Sequence, residues 1–156
     1  MKLTDFIVSQ AITPQLIATD RDKVIEELVN HLAQSGALAA DAVPDVVAAL
    51  LKREKNASTG FGKGVAVPHC KHPKVQKLAG TVGLSMKGVD FSSLDKQPVY
   101  IVFVVLSPEG QTQQHLSAMD LIFRNLQADR FRKFLRQCPT QQAVIELLQE
   151  TDSNNV

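Results

Sequence analysis

The sequence has few cysteines, no excess of charge of one sign and no long apolar run, and each lack excludes a class of protein. Its two cysteines, Cys70 and Cys138, lie far apart in different contexts, which argues against a disulfide framework. Seventeen basic and sixteen acidic residues give a net charge of +1, so nothing favours binding to nucleic acid or membrane surfaces. No apolar stretch approaches the ~20 residues that span a bilayer, and the N-terminus has no signal-peptide pattern. We therefore expect a cytoplasmic protein without nucleic-acid partners and without membrane insertion.

The length of 156 residues predicts one domain with a sizeable core. The sequence contains no internal repeat, no low-complexity tract and no linker that would indicate a second domain. We place the domain at residues 1–150 and expect residues 151–156 to form a polar, frayed C-terminal tail.

Apolar residues at helical spacing predict several amphipathic helices. The first runs from about Asp20 to Gly36, and a second from about Asp41 to Lys55. A long helix begins near Gln113, a short basic one covers residues 129–137, and a last one covers residues 140–150.

Two apolar stretches predict strands, at residues 78–86 and 99–106. The second consists of eight consecutive apolar residues without periodicity, which is typical of a central strand covered on both faces. Helices on both sides of a sheet follow from this, so the predicted fold class is α/β and layered.

A stretch between the second helix and these strands combines three glycines, a short apolar alternation and a proline followed by a histidine. It reads STGFGKGVAVPH over residues 58–69. The glycines allow tight turns and close approach, and residues 65–67 favour a short strand. Pro68 has no amide hydrogen, so we expect the strand to stop there, with His69 displayed at its end and residues 70–77 forming a loop.

Two further residues are placed near His69 by the predicted elements. Arg53 lies in the last turn of the second helix, immediately before the glycine stretch. His115 lies in the first turn of the long helix, just past the carboxyl end of the buried strand, where sites collect in α/β sheets. His31, within the first helix, is interpreted as an ordinary polar residue.

Several chemistries fit this stretch poorly. Gly64 stands where a phosphate-binding loop of the Walker type has Ser or Thr, and the glycine spacing is one residue short for a dinucleotide site. A metal site of His69, Cys70 and His72 with His115 as a remote ligand stays open, as does Cys70 as a nucleophile beside His69.

Histidine as the nucleophile itself is the remaining interpretation. A neutral imidazole can accept a phosphoryl group, and the transfer mainly needs positioning and positive charge. Arg53, His115 and the backbone around Thr59, Gly60, Gly62 and Gly64 could supply that environment as phosphate-binding groups. No metal, nucleotide or other cofactor is required if the donor is itself a phosphohistidine.

The residues from Arg53-Glu54 through Ser58 to His69 resemble the signature of enzyme IIA of the fructose/mannitol class in the bacterial phosphotransferase system. Within that class the chain is most similar to nitrogen-regulatory IIA proteins, over nearly its whole length. The resemblance implies a mixed β-sheet with helices packed on both faces. It also implies that His69 is phosphorylated, that His115 is its active-site companion and that Arg53 is a charge partner of the phosphate.

The resemblance implies a phosphocarrier, a relay component of a phosphotransferase rather than a hydrolase or a nucleotide-dependent kinase. Its donor would be the histidine phosphocarrier protein, and its target either a regulatory protein or an enzyme IIB of fructose or mannitol type. The isolated domain, without a fused IIB or permease segment, favours regulation over sugar transport. Cys70 stands where the family usually has glycine, and with His72 it could alter the loop geometry or make the site redox-sensitive.

Overall fold

The computed structural model describes residues 1–154. Its helices are α1 (Leu3–Phe6), α2 (Arg21–Gln34), α3 (Val43–Asn56), α4 (Thr112–Leu126), α5 (Asp129–Gln137) and α6 (Gln141–Asn154), with short 3-10 turns at Ser9–Ala11 and Ala40–Ala42. Its strands are β1 (Gly60–Gly62), β2 (Val65–Ala66), β3 (His69–His72), β4 (Ala79–Val89) and β5 (Val99–Pro108). The predicted helices and the two long strands are thus confirmed, with boundaries shifted by a few residues.

The sheet is organised around β5, as its uninterrupted apolar sequence predicts. On one side β5 pairs in parallel first with β2 and then with β3, and on the other side it pairs antiparallel with β4. β1 is antiparallel to β2 at the outer edge. The sheet is therefore mixed.

Helices cover both faces of the sheet. Successive residues of β5 point alternately to opposite sides, so this strand contributes side chains to two cores. Ile101, Phe103 and Val105 pack into the core with α1, α4, α5 and α6. Val102 and Val104 pack into a second core with α2 and α3. This arrangement confirms the predicted α/β/α layers.

β2 ends before Pro68, in keeping with the predicted stop, but a further strand, β3, begins at His69, and this corrects the predicted loop at residues 70–72. Val65 pairs with Ile101 and His69 with Val105, so β2 and β3 keep one register along β5. Pro68 cannot donate, but its carbonyl accepts a hydrogen bond from the N–H of Val105 at 3.0 Å. Residues 67 and 68 therefore separate two strands that share one register along β5, and His69 is the first residue of the second.

The C-terminal helix extends beyond the boundary predicted at residue 150. Residues 151–154 belong to α6, and Asp152 is buried rather than part of a polar tail. Its carboxylate accepts hydrogen bonds from the N–H of Leu3 at 2.7 Å, the N–H of Thr4 at 3.1 Å and the hydroxyl of Thr4 at 2.7 Å. Residues 155 and 156 of the predicted tail lie outside the described residues.

Candidate active site

Two of the histidines singled out in the sequence come together at the carboxyl end of β5. His69 lies beside Val105 on the face of the sheet that α4 covers, and His115 lies in the first turn of α4. Their ring centroids are 5.6 Å apart, with an angle of 42° between the ring planes. The half-buried His69 and the buried His115 thus form the centre of the candidate site.

The hydrogen bond made by His69 fixes which of its ring nitrogens carries the proton. Nδ1 lies 2.7 Å from the backbone carbonyl of Val67. A carbonyl can only accept, so Nδ1 must be the protonated nitrogen. In a neutral ring Nε2 then keeps its lone pair, and it is the ring nitrogen that is chemically able to attack an electrophile.

Both rings are held in the neutral state by their surroundings. Burial lowers the pKa of His69 below its usual 6.5, and the positive charge of Arg53 adds to this, while the bond to Val67 and the charge of Glu54 oppose it. Burial also lowers the pKa of His115, with His69 and Lys71 acting in the same direction. At neutral pH the site therefore presents two uncharged imidazoles.

The end of α3 brings one charge of each sign to His69. Arg53 lies in the last turn of α3 and donates a hydrogen bond to the carbonyl of Ala57 at 2.6 Å. Glu54 is buried, with 3% of its surface exposed, and accepts hydrogen bonds from both the N–H and the hydroxyl of Thr59. Sequence reasoning singled out Arg53 but missed Glu54, although the two are adjacent in the motif and both influence the pKa of His69.

The glycine stretch forms a tight hairpin rather than a cradle around His69. Lys63 and Gly64 at its tip have φ values of 61° and 76°, as two-residue turns of the type I′ class require. Four residues of extended chain, about 13 Å, separate Val65 from His69. Gly62 and Gly64 therefore lie towards the other end of the sheet, against Asp95 and Tyr100.

Thr59 and Gly60 lie nearer to His69, but their hydrogen-bond donors are in use. The N–H of Thr59 donates to Glu54, and the N–H of Gly60 donates to the hydroxyl of Ser58 at 2.9 Å. Phosphate binding by Thr59, Gly60, Gly62 and Gly64 stays a prediction that these contacts do not favour.

A buried serine contacts the second histidine. The hydroxyl of Ser107, near the end of β5, lies 2.6 Å from Nδ1 of His115. The sequence gives little signal for this contact, because Ser107 lies just past the predicted strand at 99–106 and its partner His115 is eight residues further along the chain. His31, by contrast, bonds to Thr13 in another part of the molecule, in keeping with its interpretation as an ordinary polar residue.

Strand geometry separates the residues of the metal-site alternative. Neighbouring residues of β3 point to opposite faces, so Cys70 and His72 face away from His69. Within residues 1–154, no three His, Cys, Asp or Glu side chains lie close enough together to hold a metal ion. Cys70 packs against the core beneath α2 and α3, and burial raises the pKa of its thiol to about 12, which disfavours the thiolate.

A comparison with known protein families identifies the family of this chain. Residues 5–151 match the model of the phosphoenolpyruvate-dependent sugar phosphotransferase system, EIIA 2. The chain belongs to this family. It is therefore a phosphotransfer component of that system. No helix in residues 1–154 has the length and apolar character needed to cross a membrane.

Curated relatives of this EIIA 2 protein carry two kinds of name. A nitrogen regulatory protein of Bradyrhizobium diazoefficiens is 37% identical over 148 residues, which are 95% of each chain. The fructose-specific EIIABC component of Bacillus subtilis is 33% identical over 97% of this chain, which spans only 24% of that larger protein.

Solved structures agree with the fold. The nitrogen regulatory protein IIA-Ntr of Neisseria meningitidis superposes with a TM-score of 0.83 at 27% identity, covering 92% of this chain and 97% of that one. The mannitol enzyme IIA of Escherichia coli, solved in complex with phosphorylated enzyme IIB, gives a TM-score of 0.77 at 20% identity, covering 92% and 96% of the two chains. At that identity the second likeness shows the fold alone.

Proposed function

We propose that this protein is a phosphocarrier that accepts a phosphoryl group on Nε2 of His69. The observation that carries the proposal is the hydrogen bond from Nδ1 of His69 to the carbonyl of Val67, because it aims a neutral, unprotonated Nε2 away from the backbone. The lowered pKa of His69 keeps this nitrogen free of a proton at neutral pH.

The proposed donor is a phosphohistidine of the histidine phosphocarrier protein. In the transfer, the phosphorus–nitrogen bond of the donor breaks and its electron pair returns to the donor ring. The lone pair of His69 Nε2 forms the new phosphorus–nitrogen bond. When the donor ring carries a hydrogen on its other nitrogen, it leaves as a neutral imidazole, and the phosphorylated His69 ring, which keeps its hydrogen on Nδ1, takes over the positive charge. No proton then moves in the step, so the site needs hydrogen-bond donors and positive charge at the phosphoryl oxygens rather than an acid or a base. Arg53 and His115 would supply these to the transferring oxygens.

The surroundings of the site fit a protein as donor. Leu116, which follows His115 in α4, is apolar, yet 56% of its surface is exposed. An exposed leucine in the first turns of α4 offers an apolar contact on the surface near the site, as the centres of protein–protein interfaces do.

We further propose that the phosphorylation state of His69 is read by regulatory partners. The support is the likeness to nitrogen regulatory proteins, which covers 95% of both chains in one curated relative. The second candidate, passage of the phosphoryl group to an enzyme IIB in sugar transport, is favoured by the 33% identity to a fructose-specific EIIABC component.

The deciding experiment is to incubate the purified protein with phosphoenolpyruvate, enzyme I and the histidine phosphocarrier protein, and to map the product by mass spectrometry at alkaline pH. We expect acid-labile phosphate on His69 in the wild type and none in His69→Ala. Label elsewhere in His69→Ala, or no label on a folded wild-type protein with active donors, would overturn the assignment. Adding a fructose- or mannitol-type enzyme IIB then separates the two candidates, because only the transport function predicts rapid loss of the label to IIB.

A further inference from the structure

The contact between Ser107 and His115 determines the protonation of the second histidine. Ser107 is buried, with 1% of its surface exposed, and its hydroxyl has one hydrogen bond among the described residues, to Nδ1 of His115 at 2.6 Å. A buried hydroxyl carries one hydrogen that needs an acceptor, and leaving it without one is costly. Within residues 1–154 Nδ1 of His115 is the only hydrogen-bond partner of this hydroxyl, so the serine must donate and Nδ1 must be unprotonated.

It follows that the proton of the neutral His115 ring is on Nε2. We propose that Ser107 is a positioning residue that locks His115 in the Nε2–H form, so that His115 can donate a hydrogen bond to the phosphoryl group that His69 accepts. Only the donation to the phosphoryl group rests on the proposed function, because the protonation of His115 follows from its contact with Ser107. The two neighbouring rings are then complementary, since Nε2 of His69 has a lone pair and Nε2 of His115 has a hydrogen.

A second hydroxyl–histidine pair in the molecule has the opposite hydrogen-bond direction. Contact with a hydroxyl therefore does not by itself decide which ring nitrogen is protonated. The hydroxyl of Thr13 donates to the carbonyl of Ala11 at 3.1 Å, so its hydrogen is already in use. His31 lies 2.6 Å from the same hydroxyl through Nδ1 and must therefore donate to it. His31 is fixed as Nδ1–H by the same reasoning that fixes His115 as Nε2–H.

The remaining histidine completes a set of four assignments. Nδ1 of His72 accepts the N–H of Lys74 at 3.0 Å, which makes His72 an Nε2–H ring. His31 and His69 are thus expected as Nδ1–H, and His72 and His115 as Nε2–H. These two groups give different ¹⁵N chemical shifts and different couplings to the ring carbon-bound hydrogens. A single spectrum therefore identifies the protonated nitrogen of all four histidines.

The first measurement is a long-range ¹H–¹⁵N spectrum of histidine-labelled protein at pH 7.5, before any donor is added. We expect the pattern just given, and in Ser107→Ala a change of His115 alone, to a mixture of forms or to Nδ1–H. A wild-type His115 in the Nδ1–H form would overturn the proposal, as would an unchanged His115 in Ser107→Ala. Thr13→Val is the matched control, and it should alter His31 without affecting His115.

The second measurement is the initial rate of phosphorylation by the histidine phosphocarrier protein. Ser107→Ala should slow it about tenfold, less than the loss of a whole donor, because part of the ring population still presents Nε2–H. His115→Gln offers an amide N–H near the position of Nε2 without needing the serine, so Ser107→Ala should cause no further loss in that background. An equal loss in both backgrounds would mean that the serine acts only on the fold. If wild-type His69 takes no phosphate, the proposed function fails, and the ¹⁵N spectrum still decides the role of Ser107.

Discussion

Glu54 and His69 are joined by a chain of hydrogen bonds through the backbone. The N–H of Thr59 donates to Glu54, the carbonyl of Thr59 accepts the N–H of Val67 at 3.4 Å, and the carbonyl of Val67 accepts Nδ1–H of His69. A buried carboxylate at the end of α3 therefore supports the strand segment that orients the proposed nucleophile.

Replacing Glu54 by Gln should lower the pKa of His69 further. Burial is the main cause of the lowered pKa, and the negative charge of Glu54 opposes it, so removing that charge lets the pKa fall. Gln keeps an acceptor for Thr59, but a neutral hydrogen bond is weaker, and the unfolding free energy should drop by about 1 kcal/mol. The His69 ring resonances, followed by NMR over pH, give the first quantity and urea unfolding gives the second. Glu26→Gln, on an exposed part of α2, should leave both unchanged, and a rise in the His69 pKa of Glu54→Gln would contradict the expectation.

Replacing Arg53 by Ala should slow phosphorylation of His69 without unfolding the domain. The positive charge of the guanidinium acts on the pKa of His69, and loss of one such group in a transfer site typically costs about 10²-fold. Arg53→Lys keeps the charge but not the planar fork, so we expect an intermediate rate. The neighbouring Lys52→Ala serves as the control, and an Arg53→Ala rate equal to that of Lys52→Ala would remove Arg53 from the mechanism.

Stability should fall as the pH drops below 6.5. His69 and His115 both have a pKa below 6.5 in the folded protein, so the unfolded chain takes up protons first as the pH falls. Their neutral forms contribute stability that is fully present above the unfolded pKa and is lost as the pH falls towards the folded values. Urea unfolding at pH 7.5, 6.5 and 5.5 measures this. The double variant His69→Gln, His115→Gln should show a shallower dependence, and an identical slope would refute the link.

Cys70 should react slowly with alkylating reagents in the folded protein. Burial raises the pKa of its thiol to about 12, and the thiolate is the reactive form. Iodoacetamide at pH 8 should modify Cys138, which also has a raised pKa but is less buried, before Cys70. The variants Cys138→Ser and Cys70→Ser separate the two rates, and unfolding in guanidinium should make them equal. Fast modification of folded Cys138→Ser would restore the expectation of a redox-sensitive site.

Asp152 should be important for stability although it lies near the C-terminus. Its buried carboxylate accepts three hydrogen bonds from the first turn of α1, and truncation to Ala leaves those donors without a partner. We expect Asp152→Ala to lower the unfolding free energy by about 1.5–3 kcal/mol. Thr4→Val, which removes one of the three bonds, should cost less. Equal stability of Asp152→Ala and wild type in urea would contradict this.

The sequence was sufficient for the layers of the fold because they depend on local patterns. Helical spacing of apolar residues located α2 to α6, and the apolar run at 99–106 located the central strand. The strand β3 beyond Pro68 was not predictable in this way. It depends on pairing with Val105, a residue 36 positions away in the chain, and on a proline carbonyl that still accepts.

The same distinction, between local sequence patterns and contacts that form only on folding, applies to the residues of the candidate site. His69 was found because it follows the predicted strand at 65–67 and Pro68, and His115 because it opens the predicted helix just past the buried strand. Ser107 and Glu54 were missed because their roles depend on which partner each side chain meets after folding. The glycines were expected at the phosphate because the sequence shows their conformational freedom but not the register of the hairpin. In that register Gly62 and Gly64 lie far from His69.

The bonds between Asp152 and Thr4 also determine the geometry of any larger assembly built on this domain. Because α1 and α6 are joined there, the first residues of α1 and the last residues of α6 lie at the same corner of the molecule. A module fused before Leu3 and a module fused after Asn154 would therefore emerge side by side. A short linker between those ends would likewise close the backbone into a ring, and the exposed turn around Lys96 could then be cut to give a circular permutant with the sheet intact.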